Sequence, residues 1–62
     1  MWGKLATFIA THAGTVLKWA KAAWSAAVYS RFARAVSKGA SAIAEYCVKF
    51  PGDCYDLMRI FL

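Results

Sequence analysis

Two cysteines, one histidine and a set of cations without carboxylate neighbours are the residues of this sequence with chemistry to offer. Cys47 and Cys54 are separated by six residues, not by the two that zinc and thiol-redox motifs use. Both fall on the apolar side of helical segments that flank Pro51-Gly52, and a tight turn there brings the thiols together. A disulfide is expected. Closing so short a loop stabilises a fold by about 2–3 kcal/mol on the chain-entropy model, and it implies an exported protein. Two buried free thiols, packing as small apolar groups, are the alternative. His12 has no cysteine or carboxylate near it in sequence and reads as a helix-terminal group rather than a ligand or base. Ser25, Ser30, Ser37 and Ser41 lie among lysines and alanines without an acid to orient a histidine, and no glycine loop cradles a phosphate. No enzyme chemistry, metal or cofactor is expected.

The cations say more. Residues 1–44 carry Lys4, Lys18, Lys21, Arg31, Arg34 and Lys38 and no acid at all, whereas residues 45–62 set Lys49 and Arg59 against Glu45, Asp53 and Asp56. Solvation of a helix's polar face explains lysine but not the missing acids, because soluble bundles mix both signs. The six early cations therefore have no partners nearby in sequence, and the net charge of +5 points outward, to phospholipid, nucleic acid or a wall polymer. Three tryptophans, three tyrosines and four phenylalanines cannot all hide in 62 residues. Some must stand beside lysine near the surface, as side chains at a membrane interface do, and Trp19 and Trp24 are assigned that place. A basic helix pair with Arg31 and Arg34 on phosphates is the nucleic-acid alternative. Only 8 residues of 62 are Lys or Arg, no array of Asn, Gln and Arg reads bases, and the 61% hydrophobic content favours lipid. The expected partner is an anionic phospholipid membrane, without nucleic acid.

No segment is expected to span a bilayer, which takes about 20 largely apolar residues. The longest uncharged run, Leu5 to Leu17, is shorter and holds His12, Gly14 and three threonines. "MWGKLATFIATHAG" is a weak secretory signal, and cutting after Thr11-His12-Ala13 would remove a well-formed amphipathic helix. Secretion without a cleaved leader is expected.

Helices must position these residues. Thirteen alanines, one proline and no alternating pattern give an all-α chain of one domain, small enough to need a staple. Helix one is expected over about 2–12, with Trp2, Leu5, Phe8 and Ile9 inward, Gly14 as its C-terminal cap and Thr15 opening the next helix. Helix two runs over about 16–29, with Lys18, Lys21 and Ser25 outward, Val16, Ala20, Ala23 and Ala27 inward, and Trp19 and Trp24 on its flanks. Helix three runs over about 31–49, its polar arc Arg31, Arg34, Lys38, Ser41, Glu45 and Lys49 opposing Phe32, Val36, Ala40, Ile43 and Cys47. A division at Gly39 is the alternative. Asp53 caps helix four, over about 54–61, which buries Cys54, Leu57, Met58 and Phe61. The sum is a compact four-helix bundle, five if divided at Gly39.

The Met1 start, the short Trp- and Lys-bearing helices and the segment "GTVLKWAKAAW" resemble the aureocin-like leaderless bacteriocins. Cys47, Cys54 and the acids between 53 and 56 depart from that group. The resemblance implies a saposin-like helical bundle, release without a signal peptide, and antimicrobial action by membrane permeabilisation. Lys18, Trp19, Lys21 and Trp24 are the membrane-active residues it implies.

Overall fold

The structure, a computed structural model, describes residues 2–62. Five helices follow one another almost without linkers: α1 Gly3–Thr11, α2 Ala13–Ala23, α3 Ala26–Lys38, α4 Ala40–Lys49 and α5 Pro51–Phe61. The divided form of the bundle is the one that exists. Gly39 separates α3 from α4 with φ 105° and ψ −177°, a backbone region that essentially only glycine occupies. An unbroken polar arc from Arg31 to Lys49 therefore spans two helices rather than one.

The other joints also fall away from their expected places, each for a local reason. α1 ends at His12, whose own N–H donates to the Phe8 carbonyl (2.9 Å) and whose ring stacks on Phe8 at 4.3 Å. Gly14 is not the cap but lies in the first turn of α2, and Thr15 sits inside that helix. α2 stops at Ala23 because Trp24 turns to extended backbone and packs edge-to-face on Phe32, 5.2 Å between rings. Ser25 then opens α3, its hydroxyl accepting from the Val28 N–H. Since the chain turns between Ala23 and Ala27, neither joins the inner face, and both are exposed; Ala40, just past Gly39, is exposed as well. α5 begins at Pro51, the first-turn position that proline favours, which places Asp53 inside the helix instead of at its cap.

Of the other residues that periodicity places inward, Phe8, Val36, Met58 and Phe61 are half-buried against the core, while Ala6 and Tyr46, which it does not place, are buried in it. Leu5, Ala6 and Ile9 of α1, Val16 and Ala20 of α2, Phe32 of α3, Ile43, Tyr46 and Cys47 of α4, and Cys54 and Leu57 of α5 form one core with Trp2. α4 is its centre, packed most extensively against α1 and α3 and joined to α5. The Cys47–Cys54 disulfide ties α4 to α5 across the Pro51 turn with 5.5 Å between the Cα atoms, and both cysteines are fully buried.

Candidate functional site

A groove of about 240 Å³ runs between α3 and α4, and four cations line it. Arg31, Arg34 and Lys38 face it from successive turns of α3, and Lys49 faces it from the end of α4. Glu45 is the one acid on its walls, and Tyr46 and Phe50 form its aromatic base. The polar arc that the sequence shows continuous across residues 31–49 thus folds back on itself at Gly39. Its two halves face each other as opposite walls.

Arg31 corrects the expectation of cations without partners inside the chain. Its Nη2 donates to Asp53 Oδ2 at 3.3 Å, its Nε points at the Tyr46 hydroxyl at 3.5 Å, and its guanidinium lies 3.7 Å from the centre of the Phe50 ring. The Tyr46 hydroxyl also donates to Asp53 Oδ2, at 2.5 Å. The three side chains come from α3, α4 and α5, so one polar knot joins three helices. Tyr46 is only 5% exposed, and burial, followed by its bond to Asp53, pushes the phenol from 10.0 up to about 12. The hydrogen bond with Tyr46, then the Asp53 carboxylate, raises the already high pKa of Arg31. Asp53 and Tyr46 were absent from the sequence reading of the site. Their partners lie 22 and 7 residues away, and only the early start of α5 at Pro51 brings Asp53 into reach.

Lys4 on α1 and Lys18 and Lys21 on α2 are exposed, as are Arg34 and Lys38 on α3. Lys21, Lys38, Lys49 and Arg59 each occupy the last turn of their own helix, where the macrodipole favours a cation. Part of the basic pattern therefore has an internal purpose. Arg59 also pairs with Asp56 one turn before it.

Trp19 and Trp24 are half-buried and meet each other edge-to-face at 5.6 Å. Trp19 also contacts Phe61 at 6.0 Å, so both indoles belong to an aromatic chain that closes one side of the core. The large apolar side chains that stand in solvent are others, and the sequence reading missed them: Val48 (71% exposed), Leu62 (60%), Tyr55 and Ile60 (each 50%). Their signal was available, since Val48 and Ile60 lie off the inner arcs of α4 and α5.

Among the described residues no helix is long and apolar enough to cross a membrane, and no group of His, Cys, Asp and Glu is placed to hold a metal ion. Compared with models of protein families, with curated proteins and with solved structures, the chain finds no match. Its function has to be argued from its own side chains.

Proposed function

We propose that this chain is an antimicrobial protein of the bacteriocin type, which binds anionic bacterial membranes and permeabilises them. The observation that carries the reading is the charge left over after folding. Arg31 is matched by Asp53 and Arg59 by Asp56. Among the described residues Lys4, Lys18, Lys21, Arg34, Lys38 and Lys49 then face outward against Glu45 alone, so the full net charge of +5 is offered to the surroundings. Each such cation near an anionic leaflet is worth about 1 kcal/mol.

Attachment by charge is followed by insertion of apolar groups. Val48, Tyr55, Ile60 and Leu62 are available without any rearrangement. Trp19 and Trp24 enter the headgroup region only after parting from Phe61 and Phe32, which makes them reporters of an opening step. In that step α1 and α2 swing away from α3, α4 and α5, which parts the α1–α4 packing and the Trp19–Phe61 contact, while the disulfide keeps α4 and α5 together. This is the saposin-like behaviour that the likeness to leaderless bacteriocins suggests, and it suits a protein that acts at the membrane of its target cell.

The test is dye release from vesicles of graded charge, run beside growth inhibition of Gram-positive bacteria. Release is expected from anionic vesicles and not from neutral ones. It should weaken as the Debye length falls from about 30 Å at 0.01 M salt to about 8 Å at 0.15 M. Equal leakage from neutral vesicles, or a salt-steep gel shift with nucleic acid while vesicles stay intact, would overturn the proposal.

A further inference from the structure

We infer that the groove between α3 and α4 is a binding site for a single phosphate ester that carries a free hydroxyl, of the kind a phosphoglycerol headgroup presents. The inference deepens the membrane reading and rests on it for the source of the ligand.

Three observations on the groove lead there. First, its cations stand on two facing walls rather than on one flat face. Arg34 and Lys38 on one wall and Lys49 on the other, all three exposed, line a common space of about 240 Å³. That is below the roughly 300–1,000 Å³ of drug-sized pockets and suits a small ligand.

Second, Arg31 is already set in place. Asp53, Tyr46 and the Phe50 ring hold its guanidinium, so little conformational freedom remains to be lost on binding. Nε and one N–H of Nη2 are engaged, and the remaining N–H groups have no protein acceptor among the described residues. The side chain is still 43% exposed, so those donors are accessible to a ligand. A planar guanidinium with paired free donors matches phosphate oxygens.

Third, Glu45 stands on the same wall as Lys49 and is in no ion pair among the described residues. Glu45 is exposed, and an acceptor lining a cationic cleft is unfavourable beside a bare phosphate. It becomes favourable when the ligand brings its own hydroxyl donor. Cations for the phosphate and one carboxylate for an alcohol define a hydroxylated phosphate ester.

The experiment is a titration of the ¹⁵N-labelled, oxidised protein with glycerol 1-phosphate, inorganic phosphate and glycerol, followed by amide shifts, with vesicle binding measured in parallel. Glycerol 1-phosphate should give saturable shifts at Arg34, Lys38, Glu45 and Lys49, and glycerol alone should give none. Inorganic phosphate should bind more weakly; equal binding would overturn the role of Glu45 and with it the ester assignment.

R34Q combined with K38Q should weaken glycerol 1-phosphate by about tenfold or more. The charge-matched K18Q with K21Q should leave it within about threefold, since those lysines lie outside the groove and are screened. Equal losses in the two double variants, or no saturable shift in the unmodified protein, would overturn the site. Selective shifts with glycerol 1-phosphate in a protein that ignores phosphatidylglycerol vesicles would leave the groove standing as a site for the free ester while refuting the membrane reading. Vesicle binding that is strong but equally reduced in both variants would do the reverse.

Discussion

Tyr46 is where the fold commits most to one proton. Its neutral hydroxyl, buried and bonded to Asp53, is favoured over the phenolate, which raises its pKa from 10.0 to about 12. The folded value lies above the unfolded one for an acid whose neutral form is the native one. The stabilisation is therefore complete below pH 10 and is lost as pH climbs toward 12. Denaturation measured across that interval should show stability falling for the unmodified protein. Y46F should lower stability at neutral pH by about 1 kcal/mol through the lost hydrogen bond, yet flatten the alkaline decline. An alkaline slope unchanged in Y46F would remove Tyr46 from the cause. Little of this knot was legible beforehand. The cysteines could be paired by eye, because each lies on an apolar arc beside an obvious turn. Arg31 and Asp53 could not, since nothing in two polar residues so far apart says that their helices will cross.

The helices separate what periodicity encodes from what their ends encode. The inner faces of α1 and α5 follow directly from the spacing of Trp2, Leu5 and Ile9 and of Cys54 and Leu57, all of them buried. The joints do not, because a joint depends on one cap and on what packs behind it. Ser25 shares a polar stripe with Lys18 and Lys21 by spacing yet serves as an N-cap, and Gly14, of the type that ends helices, is an ordinary helical residue. The two glycines therefore predict opposite outcomes. G39A forces a side chain into φ 105° and should cost about 1–3 kcal/mol, although there is open space for its methyl group. G14A has the same open space and no backbone strain, and should stabilise by about 0.5 kcal/mol or more. Thermal denaturation of the two variants decides both, and a drop in Tm for G14A would mean that the α1–α2 joint needs more freedom than the helix shows.

For the molecule as a whole, a core of so few residues leaves a thin margin, and the link between α4 and α5 holds much of it. Reduction of Cys47–Cys54 should remove about 2–3 kcal/mol, which for a domain of this size lowers Tm by roughly 10–20 °C. Intact mass before and after reduction, with circular dichroism melts, checks this. An unchanged melt would shift the stabilising role to Tyr46 and Asp53, each of which directly precedes one of the cysteines. Gly39 carries a larger consequence. An uninterrupted helix from 31 to 49 would be about 28 Å long, close to the ~30 Å hydrocarbon thickness of a bilayer. The interruption leaves α3 as the longest rod, at 13 residues or about 20 Å. Among the described residues no helix is long enough to reach from one leaflet to the other. If the protein acts on membranes as proposed, chains can crowd and stretch only the near leaflet, so leakage should begin abruptly at a threshold surface density rather than grow in proportion to each molecule added.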